Sequence, residues 1–154
     1  MDLVRSIVAR LRLWRNSGSF EPDRPPPAAH IELGLRGERL AAKHLRRNGY
    51  KILHHNFRAP KGGEVDIVCR DIVEKTLVFV EVKTRSSLDF GRPITAVDRQ
   101  KQYFIARGAM AWLRLLDNPD VAFRFDIVEV VLDGDKRSIN IVRNAFVLPK
   151  PYVY

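Results

Sequence analysis

Glu64-Val65-Asp66-Ile67-Val68-Cys69-Arg70 and Leu77-Val78-Phe79-Val80-Glu81-Val82-Lys83-Thr84 are the two stretches that decide the fold. Both alternate with a period of two, so both read as strands. In the first, Glu64, Asp66 and Val68 share one face, and Val65, Ile67 and Cys69 share the other. Asp is a poor strand residue, although the solvent side of an edge strand would accommodate both acids. In the second stretch, Val78, Val80 and Val82 share one face and Leu77, Phe79, Glu81 and Lys83 the other. It begins apolar on both faces and ends charged on one, the pattern of a buried strand whose far end opens into a site. The Glu81-Val82-Lys83 triplet alone is weak evidence, since such triplets usually make surface ion pairs.

Taken together the two strands say more. A short turn over 71–76 joins them, and each carries an acid near one end. If Asp66 and Glu81 face the same way, their carboxylates converge. Two like charges at about 4 Å repel by on the order of 4 kcal/mol at an effective dielectric near 20. A bound divalent cation removes that repulsion. Oxygen donors without Cys or His favour Mg2+ or Mn2+ over Zn2+. Lys83 would then sit beside the metal, able to hold a hydroxide or neutralise a phosphate oxygen.

Upstream, residues 31–48 read as a helix stopped by Asn48-Gly49, and residues 50–58 as a strand. Ile31, Leu35, Ala42 and Leu45 form the apolar arc of that helix, with Glu38 in its middle. A carboxylate there needs compensation. It either pairs with a buried Arg or sits on a partly covered face, or it looks inward at a charged site. His54 and His55 are adjacent on a strand and point to opposite faces, a poor ligand pair. Downstream, a helix runs from Thr95 to about residue 116, with Thr95 and Asp98 at capping-box spacing. Gln100 and Lys101 in its first turns are candidates for phosphate or site contact, although a solvated face carries slightly more weight. Strands over 123–132 and 138–142 follow. The fold class is α/β, with a central mixed sheet flanked by helices.

Residues 1–15 form a basic amphipathic stretch at helical spacing, and residues 16–29 a Pro-rich linker. The domain covers 30–148 and a tail 149–154. The 154 residues carry a formal charge of +9 and a pI near 10.1, which suggests a polyanion partner, nucleic acid before acidic membrane. The single cysteine, Cys69, excludes an internal disulfide or Cys-based zinc site and fits a reducing, cytoplasmic setting. No stretch is long and apolar enough for an integral membrane span.

Asp66, then Glu81-Val82-Lys83 on the next strand, after a helix bearing Glu38, resembles the PD-(D/E)xK nuclease signature, with Val65 where that name has proline. Gly37-Glu38, Gly62-Gly63-Glu64-Val65-Asp66-Ile67-Val68, Phe79-Val80-Glu81-Val82-Lys83-Thr84-Arg85 and Arg124-Phe125-Asp126-Ile127-Val128 resemble the YraN-like bacterial family. The resemblance spans residues 31–146. It implies a restriction-endonuclease-like core (α-β-β-β-α-β) and a metal-dependent endonuclease acting on DNA. Asp66, Glu81 and the Val82 carbonyl would be metal ligands and Lys83 the catalytic lysine. Glu38 would bind the metal directly or through water, as the helix glutamate does in the similar archaeal Holliday-junction resolvases, so branched DNA enters as a substrate by analogy. Glu64 and Asp126 fit family patterns without an assigned role. The rivals are a non-catalytic nucleic-acid-binding module of the same fold, a membrane-surface adaptor built on residues 1–15, and RNA as substrate. A homodimer is left open.

Overall fold

A computed structural model describes residues 29–86 and 97–150. The expected N-terminal helix over 1–15, the linker up to residue 28, Thr95, and residues 151–154 of the tail lie outside the described residues. The element order is α1 (Ala29–Arg47), β1 (Tyr50–Arg58), β2 (Glu64–Asp71), β3 (Leu77–Arg85), α2 (Arg99–Leu115), β4 (Phe123–Asp133) and β5 (Lys136–Phe146). The strands form one mixed sheet in the order β1-β2-β3-β4-β5. Only β3 and β4 run parallel, and α2 is part of the connection that links them.

β3 is central, which explains its apolar residues on both faces. Val78 and Val80 pack with Ile67, Cys69, Val128 and Val130 under Ala41, Ala42 and Leu45 of α1. Leu77 and Phe79 pack with Phe57, Val68, Phe125 and Ile127 under Ile105, Ala109, Trp112 and Leu113 of α2. Phe57 meets Trp112 edge-on, with ring centroids 5.1 Å apart. Such a pair adds about 0.5–1.5 kcal/mol beyond burial. The strand is buried from Leu77 to Glu81 and opens from Val82 onward, as its sequence pattern implied.

Three local expectations change. Val65 joins the α2-side core together with Val68, whereas Ile67 and Cys69 lie in the α1-side core. Strict alternation therefore fails next to Asp66. The neighbouring strand turns at the same level, where Asn56 adopts φ +50°. Secondly, α2 starts at Arg99 rather than Thr95. Asp98 is extended and is itself the N-cap, its side chain accepting the Lys101 N–H at 2.8 Å, so Asp98 closes the helix end that the capping-box reading gave to Thr95. Thirdly, β5 runs to Phe146 instead of ending near Val142. A register shift between Phe125 and Ile127 and a positive φ at Asn144 absorb one irregularity, and pairing then resumes with Phe146 stacked on Phe125.

Candidate metal centre

β2 and β3 pair from Arg70↔Leu77 to Ile67↔Val80 and then part. The fork opens at Asp66 and Glu81. Asp66 Oδ2 accepts the backbone N–H of Val82 at 2.7 Å, so a side chain takes the donor that a continued ladder would have paired. That bond pins the Asp66 carboxyl against the end of β3, next to Glu81. Both acids are buried, at 9% and 5% relative exposure.

Their electrostatics follow from that placement. Burial, then the charge of Glu81, pushes the Asp66 carboxyl up to about 7, while the Val82 N–H and the charge of Lys101 oppose the shift. Glu81 Oε1 is 3.5 Å from Lys83 Nζ and 3.2 Å from Lys101 Nζ. Glu81 Oε2 is buried and without a hydrogen-bond partner among the described residues. A buried carboxylate oxygen left unpaired is costly.

Glu38 lies further out. It is half-buried, and its carboxylate accepts from Asn56 Nδ2 at 2.9 Å. Its charge is the last-ranked influence acting on Asp66. Among the described residues no Arg pairs with it, and it does not group with the two acids closely enough to share an ion. Ile31 and Leu35, expected in its apolar arc, are 48% and 43% exposed. The fully buried positions of the helix begin at Gly37, with Gly37, Ala41, Ala42 and Leu45, while Leu33 and Leu40 pack on the same core from partly buried positions. Gly37 explains how α1 comes so close: a Cβ there would lie 1.8 Å from Thr84 Oγ1. Only a residue without a side chain lets the helix rest on the end of β3.

Among the described residues, no three His, Cys, Asp or Glu side chains are grouped closely enough to hold a metal ion. The donors in place are the two carboxylates of the fork. They nonetheless suit a divalent cation, because an orphaned oxygen and a repelling buried pair are what such an ion would satisfy. The Val82 carbonyl, and Glu38 if it leaves Asn56, are the further oxygen donors at hand.

The structure separates other candidates from this centre. Glu64 pairs with Arg58 at 3.5 Å. Asp126 is fully buried on β4 opposite Val80, one position from the Ile127 that pairs with Glu81, but it is taken up by a different set of partners. It takes Arg124 Nε on both oxygens at 2.9 and 3.1 Å and the Asn144 N–H at 2.9 Å. Arg124 also donates to Asp71 and the Tyr50 hydroxyl. Asp126 thus closes the irregularity in β5 and anchors a buried charge network. His54 packs against Trp112 and Phe57, whereas burial, with Arg46 assisting and Glu38 opposing, lowers the pKa of His55. The two histidines diverge, as expected. Lys101 meets Glu81 instead of lying on a merely solvated face, a contact that helix spacing does not reveal because it does not say which strand end the helix will meet. Gln100 is exposed.

No helix among the described residues is long and apolar enough to cross a membrane. A profile of the Uncharacterised protein family UPF0102 matches residues 37–130, the span from Gly37 in α1 into β4. A UPF0102 protein of Geobacter metallireducens is 47% identical over 116 residues, covering 75% of this chain and 93% of the relative. A UPF0102 protein of Geobacter sulfurreducens is 50% identical over 117 residues, covering 75% and 89%. One from Caldicellulosiruptor saccharolyticus is 44% identical over 117 residues, covering 75% and 97%. With the profile spanning more than half of its length and such relatives aligned almost end to end, the chain belongs to the UPF0102, YraN-like family.

Proposed function

We propose that this protein is a metal-dependent endonuclease that hydrolyses DNA phosphodiester bonds, with Mg2+ or Mn2+ as cofactor. The observation that carries the reading is the meeting of two buried carboxylates, Asp66 and Glu81, at a strand fork where Glu81 Oε2 has no partner among the described residues. A module that only binds nucleic acid gains nothing from two acids in mutual repulsion, because carboxylates also repel phosphate. When bound, the cation would polarise the scissile phosphate and activate a water. Asp66 and Glu81 hold it, with the Val82 carbonyl and Glu38 as further donors. Lys83 Nζ, one-third exposed beside Glu81, donates to a phosphate oxygen and offsets its charge. The net charge of +9 supplies the attraction to the DNA backbone, and the buried, lone Cys69 suits a reducing cytoplasm.

The test is cleavage of linear, flap and four-way DNA with Mg2+, Mn2+ or EDTA, beside Lys83→Ala and Lys83→Arg. The parent is expected to cut only with metal, and Lys83→Ala to lose cutting while still binding. Arg is larger, planar and differently aimed; a displacement of about 1 Å can lower a rate on the order of 100-fold, so Lys83→Arg is expected to lose most activity. Metal-independent cutting, or full activity of Lys83→Arg, contradicts the assignment.

A further inference from the structure

α2 turns one face to the sheet, burying Ile105, Ala106, Ala109, Trp112 and Leu113. Its other face borders an open groove of about 390 Å3 lined by Asp98, Gln100, Lys101, Tyr103, Phe104 and Arg107. Two features set this groove apart. Tyr103 and Phe104 are large aromatics at 37% and 38% exposure, and they lie among basic side chains. Lys101 belongs to both the groove and the fork: its Nζ is 3.2 Å from Glu81 Oε1 and 5.7 Å from the Phe104 ring centroid. Among the described lining residues the one acid, Asp98, is already engaged in capping α2 through the Lys101 N–H. Aromatic faces interleaved with cations are the chemistry that holds unpaired bases by stacking and their phosphates by charge.

We infer that the α2 groove is a stacking platform for an unpaired base of single-stranded DNA, continuous with the metal fork through Lys101. This rests on the nuclease reading and narrows its substrate to DNA with a single-stranded segment beside the scissile phosphate. Phe104 supplies the stacking face, Arg107 and Lys101 meet the backbone, and the strand leads toward Glu81. Duplex DNA keeps its bases paired and gains nothing from Phe104.

The experiment uses the full chain in EDTA, so that binding is read without cleavage. A single-stranded DNA oligonucleotide carrying one 2-aminopurine is titrated against parent, Phe104→Leu and Arg107→Gln, with a matched duplex in parallel. Leu keeps apolar bulk at a partly exposed position, and circular dichroism confirms that each variant folds. The expected result is quenching of the 2-aminopurine by the parent, lost in Phe104→Leu together with about tenfold in single-strand affinity. Duplex binding should stay unchanged in Phe104→Leu. Arg107→Gln should weaken single-strand binding with the quenching at saturation retained. Equal single-strand binding and quenching by parent and Phe104→Leu, equal losses on duplex and single strand, or absence of oligonucleotide binding overturns the platform. Metal-dependent cutting by a protein that fails this test leaves the fork standing and removes only the groove. Base quenching without any cutting leaves the groove and removes the nuclease.

Discussion

In the unfolded chain Asp66 is an ordinary carboxylic acid; at the fork it is buried beside Glu81 and its pKa rises to about 7. The sign follows by linkage. The fold favours the protonated form, so this contribution to stability is complete below the unfolded pKa near 4 and is lost as pH climbs through about 7. Without metal, ionised Asp66 therefore destabilises the fold above that range by on the order of 2–4 kcal/mol, at about 1.4 kcal/mol per pKa unit. Asp66→Asn keeps an oxygen for the Val82 N–H and does not ionise. In chelator it should be more stable than the parent at pH 8 and equal to it near pH 4, read as urea midpoints. The same gap at both pH values would show that ionisation is not its source. The nearness of Asp66, Glu81 and Lys83 was legible because two short strands joined by a tight turn leave little freedom in register. The role of Asp126 was not legible, since its partners Arg124 and Asn144, and beyond them Tyr50 and Asp71, meet only once all five strands are in place.

Elements are held against the fork by glycines at close approaches. Gly37 seats α1 on Thr84, and Gly63 seats the entry to β2 on α2, where a Cβ would lie 2.5 Å from the Gly108 backbone nitrogen. Gly37→Ala adds helix propensity worth about 1 kcal/mol but collides with Thr84, and overpacking of this kind costs about 1–3 kcal/mol. A net loss in stability is expected, recovered in part when Thr84→Ala is added, since that change removes Oγ1 and Cγ2 but leaves the Thr84 Cβ at 2.8 Å. Chemical denaturation of the two single variants and the double variant gives their coupling; additive losses would mean that α1 does not rest on Thr84 as described. Element existence and order could be read from periodicity, as the central strand shows. Two ends could not. The start of α2 depends on which of two spaced polar residues caps it, and the extension of β5 depends on a bulge at Asn144 that polar Arg143-Asn144 gives no reason to expect. Glu38 on α1 accepts from Asn56, a partner that follows from the turn in β1 and not from helix spacing.

At the scale of the molecule, two layers of helix cover a sheet whose central strand ends in charge. Between α1 and β5 lies a basic groove lined by Leu40, Lys43, His44, Arg47, Arg137 and Ile139, with no acid among these described residues. Such a groove suits a phosphate backbone. DNA affinity should fall steeply with salt, the log–log slope near −0.9 per phosphate contacted on duplex. Arg47→Ala should reduce the slope by about one contact without altering sequence preference. Electrophoretic or anisotropy titrations at several salt concentrations measure it; a slope near zero would count against a polyanionic partner. The charge excess was plain from composition, while its distribution over grooves was not, since residues near 43 and near 137 meet only through the sheet.

Whether the β2–β3 fork is a divalent-cation site is settled most directly by an Mn2+ titration of the folded protein, followed by electron paramagnetic resonance of free Mn2+ at pH 7.5. The expected isotherm has a saturable site in the parent that is lost or weakened at least tenfold in Glu81→Gln, which keeps the side-chain shape but removes the charge. Lys43→Gln, on the outer face of α1, should bind as the parent does. Equal Mn2+ binding by parent and Glu81→Gln, or none by the parent, would contradict a metal centre built on Asp66 and Glu81.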